Sequence, residues 1–317
     1  MSEEVRRLAR DISRCSALSS ALTDAKHPCH QVVNHQDPTE RKYRHVPEAW
    51  AGDLERARIL FVSSNPSIST PETPEIGENY PLGGFASLDE FHPDWSDDRL
   101  IDFQTKRLDQ DRKTPYVNPK AQFLCRDGQY RGGDKASATR KSQSYWKNAF
   151  DQASDLLGPS FDLGTSICMT EIVHCKSKSE TGARKAASAC ADRFFHRILD
   201  LSGARLVVIV GSVARDIVME NHQHWSHSSG AVWDISPKFG RFKNEPFKSA
   251  DHVGVINTSR RQHVVVAVQQ LSWATNTYRL IERVIGSNAK SKLQGFLQAT
   301  EQREFSGRDD LLRTFGL

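Results

Sequence analysis

The sequence predicts an α/β fold, a three-layer α/β/α sandwich around a central, mostly parallel sheet of four to five strands. Short apolar runs such as ILFV and LVVIV alternate along the chain with segments whose apolar residues recur at helical spacing. The runs are apolar on both faces, which is typical of parallel strands covered by helices on each side. In such a sheet the ligand site lies beyond the carboxyl ends of the strands.

The same patterns give the order of the elements. A helix over 3–24 precedes the first strand, a Pro-rich and Gly-rich region with one helix near 98–110 follows it, and the segment 220–250 is predicted to be a loop carrying three histidines. The predicted strands cover 58–63, 166–175, 204–211, 252–259 and 262–270. The other predicted helices cover 144–158, 181–201 and 212–221, and further helices close the chain.

Three regions are expected from these boundaries. Residues 1–54 form an N-terminal helix and loop, 55–285 an α/β domain with a basic insert at 68–144, and 286–317 a C-terminal helical extension. Between positions 104 and 147 there are eleven Lys or Arg against four Asp, a net charge of +7 in 44 residues. Aromatic residues interleave with these cations, as on surfaces that follow a phosphate backbone, and a solvated loop is the alternative reading.

Composition narrows the class of protein. The charged N-terminal segment does not resemble a signal peptide, and no apolar run approaches the roughly 20 residues of a membrane span, so we expect a cytoplasmic protein without a membrane partner. Six cysteines in 317 residues indicate reduced thiols or metal ligands rather than a disulfide scaffold. The overall net charge of +4 says little about nucleic acid.

Polar or glycine motifs end the predicted strands: SSNPS at 63–67, TEIVHCK at 170–176, VVIVG at 207–211 and QLS at 270–272. Their order is similar to that of the uracil-DNA glycosylase superfamily. SSNPS at 63–67 resembles the Gly-Ile-Asn-Pro-Gly of the mismatch-specific branch, and YWK at 145–147 its Phe-Trp-Lys. TEIVHCK at 170–176 resembles the Thr-Asn-Val-Val-Lys-Cys-Arg of the iron-sulfur branch. QLS at 270–272 takes the place of the last motif, His-Pro-Ser or Asn-Pro-Ser. The resemblance implies that fold, and DNA N-glycosylase activity on a nucleotide flipped out of double-stranded DNA.

The first motif implies the reaction. In the family its Asn, here Asn65, holds the water that attacks the sugar, and an amide suits this because it donates and accepts without titrating. A turn cap at the strand end is the structural alternative. Serines at 63 and 67 replace the family's glycines, which changes the loop geometry. Ser64 is expected beside the base and Ser67 beside the DNA backbone.

The second motif departs from the family at the residue that reads the base. Family members that remove uracil carry Asn where this chain has Glu171, and a carboxylate repels O4 of uracil but accepts from the N4 amino group of cytosine. We therefore expect a cytosine-type base, and a protonated Glu171 would instead donate to N3 and assist departure of that base. The chain resembles the bacterial phage-defence branch of the superfamily, which implies that the base is a modified cytosine such as the glucosylated hydroxymethylcytosine of phage DNA. The alternative for Glu171 is a salt bridge with Lys176 or a nearby Arg.

Further residues are assigned from the same resemblance. Tyr80 or Phe85 is expected to stack on the flipped base, a contact worth roughly 1–3 kcal/mol. Gln270 replaces a family residue, His or Asn, that contacts the base. Glutamine cannot supply a positive charge, so we expect His174 to stabilise the charge on the leaving base. The residues expected to contact DNA are Lys176, Ser212, Ser272, the wedge residue Trp273, Arg260 and Arg261.

The cysteines leave three readings open. Cys175 and Cys190 match two iron-sulfur ligands of the family, whereas its Cys-x-x-Cys is replaced by Cys15 and Cys29 with thirteen residues between them. The four thiolates are a ligand set for a 4Fe-4S cluster. Zinc held by Cys29, His30 and Cys175 is a second reading, and buried free thiols are a third. No cofactor is expected to be required for catalysis.

The alternative functions require different sets of residues. A uracil or mismatch repair glycosylase, or a non-catalytic DNA-binding protein on the same fold, would keep the basic insert. A metal-dependent nuclease needs a carboxylate cluster, and the predicted strand ends offer Glu171 alone. The expected enzyme acts as a monomer on double-stranded phage DNA and leaves an abasic site.

Overall fold

The computed structural model describes residues 1–34, 46–66, 96–105, 108, 122–124, 130–132, 144–238, 251–268, 287–299 and 303–315. Its helices are α1 Glu3–Ser13, α2 Leu18–Thr23, α3 His30–Asn34, α4 Asp97–Thr105, α5 Ser144–Leu157, α6 Leu163–Ser166, α7 Ala183–Cys190, α8 His196–Leu201, α9 Ser212–Ser229, α10 Ser287–Gln298 and α11 Arg308–Phe315. Its strands are β1 Trp50–Gly52, β2 Ile59–Ser63, β3 Gln122–Leu124, β4 Tyr130–Gly132, β5 Ile167–Glu171, β6 Leu206–Val210, β7 Val232–Lys238, β8 Asp251–Asn257 and β9 Gln262–Val268.

The main sheet has seven strands in the order β1-β5-β2-β6-β9-β8-β7. Strands β5, β2, β6 and β9 are parallel to one another, β1 and β8 run antiparallel to their neighbours, and β7 is antiparallel to β8. The predicted α/β class is confirmed, but the sheet is mixed and larger than the predicted four to five strands. Strands β3 and β4, which lie within the insert, pair as a separate two-stranded antiparallel sheet.

The two added strands escaped prediction for physical reasons. Strand β1 has three residues, too few to show a period, and the sheet holds it through β5. Strand β7 buries Trp233 and Ile235 while Val232 and Asp234 face solvent, so it is a half-buried strand of mixed composition. Helix α9 runs on to Ser229, so the three histidines at 222, 224 and 227 lie on a helix and not in the predicted loop.

Alternate side chains of the central strands enter two separate cores. Leu60 and Val62 of β2 pack with helices α1 to α3 and α7 to α9, whereas Ile59 and Phe61 pack with α5, α10 and α11. Helices therefore flank both faces of the sheet, as the apolar strands predicted. Helix α1 and Trp50 of β1 belong to the first of these cores, so the N-terminal segment is packed on the sheet. Among the described helices, none is long and apolar enough to cross a membrane.

Two predicted helices are interrupted where they carry cysteines. The helix expected over 3–24 breaks after Ser13 and resumes at Leu18, and Cys15 lies in the break. The helix expected over 181–201 continues through a π-helical segment, Ala191–Phe195, that begins directly after Cys190. Such π segments occur frequently at functional sites because they rotate the following residues out of α-helical register.

Candidate active site at the carboxyl edge of the sheet

The first two predicted motifs meet at one edge of the sheet. Strands β2 and β5 are parallel neighbours, and Ser63 pairs with Glu171 at their carboxyl ends. Backbone hydrogen bonds then continue past the strands, from Ile172 N to Ser63 O at 3.0 Å and from Val173 N to Ser64 O at 2.9 Å. The segments 63–66 and 171–177 therefore run side by side, and the residues expected to act together lie together.

Asn65 lies at the centre of this edge. Its carboxamide nitrogen, Nδ2, donates to Ser177 Oγ at 2.9 Å and lies 3.2 Å from both the Cys175 and the Pro66 carbonyl oxygens. Carbonyl oxygens only accept hydrogen bonds, so these contacts identify the nitrogen of the amide. The side chain is 7% exposed, and within the described part of the chain Oδ1 is buried without a hydrogen-bond partner.

This arrangement gives Asn65 a defined chemistry. A buried carbonyl-type oxygen without a partner carries a desolvation cost of roughly 1–3 kcal/mol, which a bound water or ligand would remove. Because the nitrogen side of the amide is fully occupied, the side chain presents an acceptor alone. Asn65 is therefore suited to hold a water molecule by one of its hydrogens.

Glu171 and Ser64 lie at the same edge of the sheet as Asn65. Glu171 is half-buried at the end of β5. Ser64 is buried, and its hydroxyl donates a short hydrogen bond to the Glu180 carboxylate. Ser179 and Glu180 have φ values of +51° and +58°, a left-handed conformation that costs non-glycine residues of order 1–3 kcal/mol each. The strained turn brings a second carboxylate to the edge.

Lys176 was predicted to contact DNA, but the structure buries its side chain. Its amine lies 2.7 Å from the Glu48 carboxylate, and both side chains are 6% exposed. A buried ion pair is not available to a phosphate backbone. The same contact shows that the partner of Lys176 is Glu48 and not Glu171, the partner in the alternative reading. The sequence could not show this, because Glu48 lies far away in the chain.

The role predicted for His174 also differs from what its surroundings allow. Its ring nitrogen Nδ1 lies 2.7 Å from the Glu48 carbonyl oxygen, so Nδ1 carries the hydrogen. Burial lowers the pKa of His174 to about 4, so the ring is neutral at physiological pH and cannot supply the positive charge expected for a leaving base. The ring packs edge-on against Phe194, with 5.7 Å between centroids, and lines the cavity described next.

The four predicted cysteine ligands line a single cavity of about 50 Å³. They come from four separate places: Cys15 from the break after α1, Cys29 before α3, Cys175 after β5 and Cys190 at the end of α7. The four cysteines of the 4Fe-4S reading therefore lie around one cavity, an arrangement that buried free thiols would also show. His30, which the zinc reading requires, is not among the residues that line this cavity, and its Nδ1 lies 2.9 Å from the Ala21 carbonyl oxygen.

The thiols affect one another electrostatically. Burial, followed by the neighbouring cysteines, raises the pKa of Cys175 well above its usual value. Burial likewise raises the pKa of Cys190 to about 12, partly offset by the backbone amide of His174. Arg193 donates to Cys15 Sγ at 3.7 Å and to Ser16 Oγ at 3.2 Å, which places a cation beside the group.

Among the residues the structure describes, no three His, Cys, Asp or Glu side chains are arranged to hold a metal ion. The four cysteines nevertheless line one cavity. Without a bound cation the thiols at 175 and 190 are held protonated, so a positively charged inorganic core would compensate the burial of their thiolate forms.

The arginines predicted to contact DNA lie at the opposite edge. Arg260 and Arg261 form the turn before β9, whose parallel pairing with β6 places its start at the amino edge of the sheet. Arg260 lies 2.8 Å from the Glu4 carboxylate and 3.3 Å from that of Asp200. That prediction is therefore wrong for any DNA bound at the carboxyl edge. Ser212, in contrast, is exposed as the first residue of α9, directly after β6.

Several predicted site residues lie outside the described residues. They are Ser67, Tyr80, Phe85, Gln270, Ser272 and Trp273. Their roles stay predictions. Conversely, sequence reasoning missed Ser177, Glu180 and Glu48. The polar run KSKSE at 176–180, directly after the second motif, was the signal for the first two.

Comparison of the chain with protein-family models and with curated proteins found no match. The assignment of a function therefore depends on the geometry of the site.

Proposed function

We propose that the protein is a DNA N-glycosylase of the uracil-DNA-glycosylase type that excises a modified cytosine-type base, such as the glucosylated hydroxymethylcytosine of phage DNA. The observation that carries the proposal is the Asn65 carboxamide, whose nitrogen is fully bonded and whose buried Oδ1 is free to accept among the described residues. The site lies where four parallel strands end, the usual position for a ligand in such sheets.

In the proposed reaction Asn65 holds a water molecule against the sugar of a flipped nucleotide. The water oxygen forms a bond to C1′ as the bond from C1′ to the base nitrogen breaks, and the electron pair leaves with the base. The proton that the water loses ends on the departing base, so the products are the free base and an abasic sugar with a hydroxyl at C1′. The transition state resembles an oxocarbenium ion, so nearby carboxylates stabilise it. Glu180, held by Ser64, and Glu171 at the end of β5 are the described carboxylates at this edge.

Glu171 sets the base preference in this proposal. A carboxylate accepts from an exocyclic amino group and repels a carbonyl oxygen, so it favours cytosine-type over uracil-type bases. The alternatives are a uracil or mismatch repair glycosylase, and a DNA-binding protein without catalysis. Each differs in which base, if any, is released.

We also infer that the cysteine cavity holds a 4Fe-4S cluster with a structural role. The residues that would hold it are Cys15, Cys29, Cys175 and Cys190, and such clusters are bound by four thiolates. When bound, the cluster would tie the break after α1 to the segments that follow β5 and α7. Base release itself uses other residues.

The test incubates four duplexes with the protein, carrying glucosylated hydroxymethylcytosine, hydroxymethylcytosine, cytosine or uracil at one position. Abasic sites are then revealed by alkali cleavage. We expect cleavage at the glucosylated base with wild type and far slower cleavage with Asn65→Ala, while Gln223→Ala, an exposed amide on α9, behaves as wild type. Release of uracil alone would favour the repair glycosylase. Binding without release from every duplex would favour the non-catalytic protein.

A further inference from the structure

Ser177 makes the shortest hydrogen bond to the Asn65 carboxamide. Ser177 Oγ lies 2.9 Å from Asn65 Nδ2, compared with 3.2 Å for each of the two carbonyl oxygens. Ser177 is fully buried, and its backbone N–H donates to the Pro66 carbonyl at 3.2 Å. The residue therefore holds both the side chain of Asn65 and the backbone that follows it.

From this geometry we propose that Ser177 is a positioning residue for the glycosylase reaction. It fixes the Asn65 carboxamide with Oδ1 directed at the attacking water. The proposal rests on the proposed function, because the water matters only if the protein cleaves a glycosidic bond. It adds a residue that neither sequence motif contains.

The orientation of the Asn65 amide is set by which of its two terminal atoms faces the neighbouring acceptors. An Asn side chain presents nearly the same shape when its nitrogen and oxygen exchange places. In the observed orientation Nδ2 has acceptors at Ser177, Cys175 and Pro66. The exchanged orientation would set Oδ1 against two carbonyl oxygens, which cannot donate. The two longer contacts to carbonyl oxygens define the side-chain torsion angles of Asn65 only loosely. The shorter contact to the Ser177 hydroxyl fixes them.

The loss of one hydrogen bond should therefore affect the reaction more than the fold. Without the hydroxyl the amide retains its two carbonyl acceptors, so Asn65 stays buried but is held less tightly. A misplacement of about 1 Å at a reacting group lowers rates by up to about 100-fold. We expect Ser177→Ala to lower the single-turnover rate of base release about 10- to 100-fold with DNA affinity unchanged.

The experiment compares Ser177→Ala, Ser177→Thr and Asn65→Ala with the double variant Ser177→Ala/Asn65→Ala. Threonine keeps the hydroxyl and should recover most of the rate. If Ser177 acts through Asn65, the double variant should be no slower than Asn65→Ala, because residues that act as a unit are not additive. Ser202→Ala, a buried serine whose Oγ accepts from Ala204 N, is the matched control for the loss of a buried hydroxyl.

A second readout is independent of activity. Proton exchange at the Asn65 side-chain amide, followed by NMR with ¹⁵N-labelled asparagine, should be slow in wild type and faster in Ser177→Ala. Unchanged exchange, or a Ser177→Ala effect of equal size in the Asn65→Ala background, would overturn the role of Ser177. If wild type releases no base from any duplex, the proposed function fails. The exchange data would then still decide whether Ser177 orients the amide.

Discussion

Asn65 and Cys175 are joined by a hydrogen bond of 3.2 Å from the Asn65 carboxamide nitrogen to the Cys175 backbone carbonyl. The thiol of the same cysteine lines the cavity shared by four cysteines. The cysteine site and the carboxyl edge of the sheet are therefore neighbours along one short segment. A change in the position of Cys175 would reach Asn65 directly.

Glu171→Gln should shift the base preference toward uracil. An amide can donate to O4 where the carboxylate repels it, and one good pairing discriminates between bases by about 1–3 kcal/mol. We expect the ratio of uracil release to modified-cytosine release to rise about 5- to 150-fold, measured from single-turnover rates on paired duplexes. Glu220→Gln, on the exposed side of α9, is the control. An unchanged ratio would show that Glu171 does not read the base.

Cys175→Ser and Cys190→Ser should each abolish iron and sulfide binding. Each variant removes one thiolate from the set around the cavity. Cys168→Ala is the matched control, because this cysteine is equally buried in β5 but does not line the cavity. Iron and sulfide are measured on protein purified without oxygen. Wild-type protein that lacks iron under those conditions would contradict the cluster.

The stability of the protein should fall in mild acid through His263. Burial lowers the pKa of His263 to about 4, below the ordinary value of 6.5. Its neutral form therefore stabilises the folded state fully above pH 6.5, and this contribution is lost as the pH falls toward 4, by about 3 kcal/mol. Urea unfolding at several pH values should show a shallower decline for His263→Gln. Parallel curves for the two proteins would rule out this contribution.

Lys176→Met should destabilise the fold without altering DNA contacts. The change leaves the Glu48 carboxylate buried without its cation, which costs roughly 3–5 kcal/mol, and a Glu48→Gln/Lys176→Met double variant should recover much of that loss. The salt dependence of DNA binding should be unchanged. A phosphate contact would instead reduce the slope of log affinity against log salt by about 1. Such a reduction would restore the original prediction for Lys176.

The central strands were predictable because their apolar runs leave little choice. Strands β2 and β6 are almost entirely buried, so their residues read as continuous hydrophobic segments in the sequence. Strand β5 ends at Glu171, earlier than the predicted strand over 166–175. The chain beyond it keeps two backbone hydrogen bonds to the segment after β2 and then places Cys175 and Ser177 against Asn65. A strand pattern cannot show where a chain leaves a sheet for side-chain contacts.

Two residues that were predicted from their positive charge to contact DNA are paired with acidic side chains instead. A lysine and an arginine near the motifs were interpreted as DNA contacts, but Lys176 is buried with Glu48 and Arg260 is paired with Glu4. Both partners lie far away in the chain. Whether a cation faces solvent or an acid depends on long-range packing, which local composition does not encode.

The sequence by itself determined the α/β class, the order of the parallel strands along the chain and the polar residues that follow them, because hydrophobic periodicity and strand ends are local properties. Tertiary structure decided the rest. It brought Cys15, Cys29, Cys175 and Cys190 to one cavity, turned the Asn65 amide so that Ser177 holds its nitrogen, and buried Lys176 against Glu48. Each of these contacts joins groups whose proximity exists only once the sheet and its helices have packed.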